Sequence, residues 1–269
     1  MNHSTRFKFL SLAALLAAFT AAAAAPVPAD PAKMSVQQIS DCLGKNLVSR
    51  GALRDLTVTP TDREGKTRTL KMRFYWKPTP KREPRINLRL VEPLPIAGSS
   101  YLLTVKGRSE NVHFYFPGAD RALKITGQNM SEPMWGTDVS YGEIKQVLGL
   151  LASGPAERKP DAVVSGRKAF VLETKAQETG YQSVVSYVDQ QACVLLKSEF
   201  FEKSDKPRKV LEADVTTLLS ADTYWVVLGY TMRDLREGTQ TVLNLSDFSP
   251  MERMPERLFD PKRFYEPYE

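Results

Sequence analysis

Histidine is almost missing from this chain. Of 269 residues only His3 and His113 are histidine, and His3 falls in an N-terminal stretch that reads as removable. One remaining histidine, alternating in a strand between Val112 and Phe114, gives no basis for a histidine metal site or a Ser-His-Asp triad. The sequence also lacks G-x-S-x-G, a P-loop, H-E-x-x-H, C-x-x-C and a dinucleotide fingerprint. Cysteine is scarce: Cys42 and Cys193 are the whole complement. They stand far apart and outside any metal-ligand spacing. In an exported chain such a pair suggests a disulfide, with two buried free thiols as the alternative. There is no basic stripe with interleaved aromatics, which argues against nucleic acid as a partner. Asp138, Glu143 and Glu199 supply carboxylates that glycoside hydrolysis would need, but most exported chains of this size offer as much. The expectation is a protein that is not an enzyme and takes no metal or other cofactor.

Long apolar runs are limited to one. Arg6 and Lys8 precede FLSLAALLAAFTAAAAA, which ends in small residues at Ala25. That is the layout of a secretory signal peptide, and the run is short of the roughly 20 residues of a membrane span. Cleavage after Ala24 satisfies the small-x-small rule, so residues 1–24 are read as a signal and the mature protein as periplasmic. Losing Arg6 and Lys8 leaves 35 cations against 31 anions with the signs well mixed, the pattern of a solvated surface, with a weak attraction to anionic membrane surfaces as the alternative.

Residues 25–34 form a proline-rich lead-in, and residues 35–269 read as one domain. SVQQISDCLGKNL predicts an amphipathic helix: Ser35 and Gln38 make a capping-box pair, and Val36, Ile39, Leu43 and Leu47 form its stripe. From Leu56 the period changes to two. Met72, Phe74 and Trp76 alternate with Lys71, Arg73 and Tyr75; Ile86, Leu88 and Leu90 with Asn87 and Arg89; Val112, Phe114 and Phe116 with His113 and Tyr115. This is half-buried antiparallel sheet, punctuated by TDREGK, EPLPIAGS and PGAD. After a mid-chain helix running to about Ala152, the strands resume as SGRKAFVLETKA, YQSVVSYVDQ, ACVLLKSEFFEK, RKVLEADV, TYWVVLGYTMRD and TQTVLNLSDF. A meander of about twelve strands joined by tight turns cannot stay flat. The expected class is α+β: a strongly curved antiparallel sheet with an N-terminal helix and a mid-chain helix. The C-terminal PERLFDPKRFYEPYE should be a short helical turn lying on the sheet. An apolar concave face rich in aromatics serves equally as filled core or as the wall of an acyl-chain cavity.

The order of these motifs resembles the LolA-like family of exported outer-membrane lipoprotein-sorting proteins over nearly the whole mature chain. The resemblance rests on the helix carrying Cys42, the hairpin TDREGKTRTLKMRFY, FYFPGADRALKIT, WGTDVSYGEIKQ, and the ending RDLREGTQTVLNLSDF…ERLFDPKRFY. It implies an incomplete β-barrel of about eleven strands with helices over its open side, and pairing of Cys42 with Cys193. It also implies a role in carrying acylated lipids or lipoproteins, with an inner-membrane transporter of the efflux type as a further partner. The departures are Val139, where the family has Phe, and Gly142–Glu143, where it has Glu–Asp.

On this reading Trp135–Gly149 folds across the mouth as a lid. Gly136 permits a turn beside Trp135, Asp138 caps the helix through the N–H of Ser140 or Tyr141, and Ile144, Val147 and Leu148 face inward. The expected lining of the cavity is Phe74, Trp76, Leu88, Leu103, Phe114, Phe116, Phe170 and Trp225, with Ile144 and Leu148 from the lid. The expected function is a periplasmic carrier or chaperone that shelters acyl chains for transfer towards the outer membrane. The alternative is a non-carrier adaptor or sensor that partners a membrane transporter.

Overall fold

The computed structural model describes residues 30–47, 51–81, 83–107, 109–176, 180–221, 224–246, 249–251 and 253–267. The signal at 1–24 and the lead-in up to residue 29 lie outside the described residues.

The N-terminal helix α1 (Val36–Lys45) forms where its spacing places it. The Ser35 hydroxyl accepts the Gln38 N–H while the Gln38 side chain accepts the Ser35 N–H, satisfying two donors that a helix start leaves without partners. Its Ile39, Cys42 and Leu43 are buried.

Sixteen strands follow among the described residues. The first half of the chain gives β1 (Ala52–Thr61), β2 (Leu70–Trp76), β3 (Arg85–Glu92), β4 (Ser100–Lys106), β5 (Ser109–Tyr115) and β6 (Leu123–Ile125). The second half gives β7 (Ala156–Val164), β8 (Arg167–Lys175), β9 (Ser183–Asp189), β10 (Leu195–Phe201), β11 (Lys209–Ala213), β12 (Leu218–Ala221), β13 (Tyr224–Val227), β14 (Gly229–Asp234), β15 (Thr239–Leu245) and β16 (Ser249–Pro250). One antiparallel sheet runs β6-β5-β4-β3-β2-β1-β15-β14-β11-β10-β9-β8-β7, with β16 paired to β1 and a separate β12–β13 hairpin. Among the described residues β6 and β7 do not pair with each other, so the sheet curls without closing, as an incomplete barrel does.

The period-two segments became strands, each with one face in the concave core. The β1–β2 turn shows how locally this is set: the Asp62 carboxylate accepts the N–H groups of Glu64 and Lys66 at 3.1 and 2.8 Å, and Gly65 takes a φ of +80° that a side chain would resist.

Three sequence expectations need correction. β7 has no alternating pattern: AERKPDAVV is largely polar, as an edge strand avoiding further pairing should be. Its Pro160 sits where the β7–β8 register shifts between Lys159 and Ala162, one of the few sheet positions proline tolerates. TYWVVLGYTMRD is two strands, broken at Leu228, because β13 turns away to pair with β12. Tyr75 and Asn87, on the phase read as solvent-facing, are 2% and 0% exposed. The C-terminal segment lies on that convex face and makes a second core of Tyr75, Leu102, Met254, Leu258, Phe259 and Phe264. Its turn Glu256–Phe259 is held by the Asn87 amide, which donates to the carbonyls of Leu258 and Phe264 at 2.8 and 2.9 Å.

Candidate functional site

The link from β6 to β7 joins the two edges of the sheet, so it has to cross the open side. It does so as irregular chain pinned by polar side chains. Trp135 and Gly136 both take left-handed backbone, with φ of 48° and 63°, and the Arg68 guanidinium donates to both of their carbonyls. A Cβ on Gly136 would lie 2.5 Å from Arg68 Nη2, so a side chain here would displace the guanidinium that holds the two carbonyls. The expected cap is made differently. The Asp138 carboxylate accepts the hydroxyls of Thr239 and Thr241 on β15, and it is Glu143 that accepts the Ser140 N–H, at 2.7 Å. The helix is also shorter than expected: α2 (Ile144–Val147) is a single turn, ended at Gly149, which has a φ of +79°.

Glu143 is 1% exposed and takes two further partners. Lys209 Nζ lies 3.1 Å from its Oε2 and also donates to the Asp138 carbonyl at 2.8 Å. The Tyr181 hydroxyl donates to Oε1. Burial, reinforced by the Glu143 charge, pushes the Tyr181 hydroxyl far above its ordinary range, so it remains a donor. Beyond the turn, Lys145 Nζ reaches Glu110 at 2.7 Å and Ser153 Oγ at 2.8 Å. The acid at 143 therefore ties this crossing segment, the strap, to β11 across a buried ion pair. The carboxylates of Asp138, Glu143 and Glu199 are engaged separately: Glu199 pairs with Tyr187 on β9 and with Lys197 on its own strand, β10.

Beside the α2 turn of the strap lies an apolar cleft between α1 and the concave sheet, with about 80 Å³ of space inside it and about 680 Å³ when its solvent-open mouth is counted. Leu43, Asn46 and Leu47 form one wall, Phe74, Trp76 and Leu245 the floor, Trp225, Val227 and Tyr230 the far side, and Val147 to Gly149 the rim. Two ties hold the α1 wall in place. Cys42 and Cys193 are disulfide-bonded, with Cα atoms 5.4 Å apart. Asn46 donates to the carbonyls of Ala192 and Cys193, both at 2.7 Å, and accepts the Trp225 N–H at 2.7 Å. Arg54 also lines the cleft and is 6% exposed.

Of the residues the sequence singled out, the structure brings Phe74, Trp76, Leu148 and Trp225 together around this cleft. Leu88, Leu103, Phe170 and Ile144 are packed solid in the core. Phe114 sits in an aromatic cluster under the strap, 5.6 Å from Trp135 and 5.1 Å from Tyr141 between ring centroids, and Phe116 is at the surface. Sequence reasoning passed over Asn46, Arg54, Tyr181 and Lys209. For Arg54 and Lys209 a signal existed: each is a cation on the same alternating phase as buried Leu56 or Leu211.

A family model described as "Uncharacterized protein" matches residues 85–265, more than half of the chain. The chain belongs to that family. No curated protein matches it. Among solved structures it is similar to a DUF1329 family protein from Desulfovibrio piger, with a TM-score of 0.71 at 18% identity over 82% of this chain and 94% of that one. It is similar also to a Vibrio parahaemolyticus domain provisionally described as an outer membrane lipoprotein-sorting protein domain, with a TM-score of 0.70 at 19% identity over 82% and 93%. A LolA superfamily protein from Nitrosomonas europaea gives 0.64 at 17% identity over 84% and 98%. At these identities the likeness is one of fold, and the fold of this family member is LolA-like.

Proposed function

We propose that this protein is an exported carrier that shelters the acyl chains of a lipid or lipoprotein in the cleft behind α1, rather than an enzyme. The observation that carries the reading is the cleft itself: a concave, largely apolar site with two tryptophans, open to solvent between α1 and the sheet. Each CH₂ moved from water into such a wall contributes about 0.8 kcal/mol, so a single chain is held without any dedicated polar motif. The fold shared with a lipoprotein-sorting domain and a LolA superfamily protein agrees with that use, and the signal-like N-terminus agrees with a periplasmic place of work. Transfer towards the outer membrane, with an inner-membrane transporter as donor, completes the proposal.

The test is mass spectrometry of organic extracts from the mature protein, purified from the periplasm without detergent. The reading expects a stoichiometric acylated species that is lost in Trp225→Asp and retained in Phe170→Leu, a core position away from the cleft. An empty, folded wild-type protein, or equal lipid in both variants, overturns it.

A further inference from the structure

Large apolar side chains are exposed at seven described positions, and they are not scattered. Four of them, Val91, Leu94, Phe116 and Leu123, sit at one end of the β3 to β6 hairpins, at 39%, 84%, 48% and 58% exposure. Val91 stands at the end of β3 and Leu94 in the β3–β4 turn, and the exposed run there reads Val91-Glu92-Pro93-Leu94-Pro95. Phe116 and Leu123 flank the β5–β6 turn. The two turns are neighbours: a Cβ on Gly98, in the first, would lie 3.7 Å from Pro117 Cγ in the second. Single exposed apolar residues are ordinary on a protein surface, whereas a contiguous group marks an interaction site.

The shape of this group favours one class of partner. It is not a groove but a pair of protruding tips. Leu94 is the most exposed large apolar residue described, and it stands between two prolines, which fix the backbone on either side and keep the tip from folding back. Cations lie next to the tips along the chain. Arg121 and Lys124 are exposed and make no ion pair among the described residues, and Lys71 pairs with Glu92 at 3.1 Å. Counting Asp120 and Glu92 against these three leaves an excess of positive charge. Apolar tips that bury a few side chains, with a small excess of cations beside them, match an anionic bilayer, where each cation near the surface contributes about 1 kcal/mol and each inserted side chain adds the transfer of its own apolar area. The tips also continue an apolar path from inside: Leu123 pairs with Phe114 across β5–β6, and Phe114 packs against Trp135 and Tyr141 of the strap.

We propose that the paired β3–β4 and β5–β6 tips are a membrane-docking surface that inserts Leu94 and Phe116 among anionic phospholipids, with Arg121 and Lys124 at the headgroups. The surface is separate from the cleft, so the proposal stands whether or not the cleft carries lipid.

The experiment is co-sedimentation of the mature protein with vesicles of one part phosphatidylglycerol to three parts phosphatidylcholine, compared with phosphatidylcholine alone. Binding to the anionic vesicles is expected, with about a tenfold or greater loss of affinity in L94S/F116S and a smaller loss, larger at low salt, in R121Q/K124Q. L235S, an exposed apolar position elsewhere, should bind as wild type. Because Leu94 and Phe116 are exposed, the variants should keep the wild-type circular dichroism and Tm; should L94S/F116S not, L94S alone carries the test. No vesicle binding by the wild type, as expected of a tip built for a protein partner, overturns the proposal. So does binding that is unchanged in L94S/F116S or equally reduced in L235S.

Discussion

The tie between the strap and the sheet can be tested by a double-mutant cycle on Glu143 and Lys209. Both side chains are nearly inaccessible, at 1% and 9% exposure. Lys209→Met removes the cation and leaves a buried carboxylate with only the Ser140 N–H and the Tyr181 hydroxyl. Breaking a buried pair from one side costs about 3–5 kcal/mol, because the uncompensated charge stays behind. The two remaining donors place the expected cost near the lower end, at about 3 kcal/mol. Glu143→Gln should cost about as much, since it leaves the ammonium buried against a neutral amide. The double variant has neither charge, and the amide oxygen introduced by Glu143→Gln can still accept from one of the two remaining donors, so it should recover to within about 1–2 kcal/mol of wild type. The coupling energy is then several kcal/mol. It is read from urea titrations of the four proteins at one pH with the disulfide intact, with a common m-value confirming comparable transitions. Single-mutant losses that add to within about 0.5 kcal/mol in the double variant would mean the pair is not coupled, and the strap would be held by the other contacts alone.

Two further outcomes follow from the same geometry. Replacing Cys42 and Cys193 together by alanine opens a loop with a sequence separation of 151, and the chain-entropy model expects about 4–5 kcal/mol of lost stability in a urea titration; a loss below about 1 kcal/mol refutes that expectation. His113 is held below its ordinary pKa of 6.5, first by burial and then by Lys124 opposite it. The unfolded chain therefore takes up this proton first as pH falls, so the His113 contribution to stability is complete above pH 6.5 and is lost as pH drops below it. Titrations of wild type and His113→Gln at several pH values should show a steeper acid loss in the wild type, and identical slopes refute the argument.

Where side-chain alternation reports burial, the fold could be read directly. Met72, Phe74 and Trp76, or Ile86, Leu88 and Leu90, lie on the face their period assigns, and α1 begins at the Ser35 cap that local chemistry dictates. What could not be read is what happens between distant segments. Asp138 looked like a helix cap because a backbone N–H lay within reach, but two threonine hydroxyls about a hundred residues away took its oxygens instead. Asn87 looked outward until the C-terminal segment covered it. β7 escaped notice because an edge strand is under pressure to look polar. For the candidate site, the correct face was legible and its filling was not. Leu88 and Phe74 share a phase of the same sheet and are cross-strand partners, yet Phe74 meets the cleft and Leu88 is enclosed. Only the position of α1 and the strap decides between them.

The strap's two ends are the ends of β6 and β7, so it is also a covalent bridge across the gap that the sheet leaves open. Its polar ties land on both sides of that gap: Lys145 of the strap reaches Glu110 on β5, and Glu143 of the strap reaches Lys209 on β11. Those strands lie in the two halves of the sheet that meet at β1 and β15. The segment therefore cross-links the two halves a second time, independently of the backbone ladder between β1 and β15.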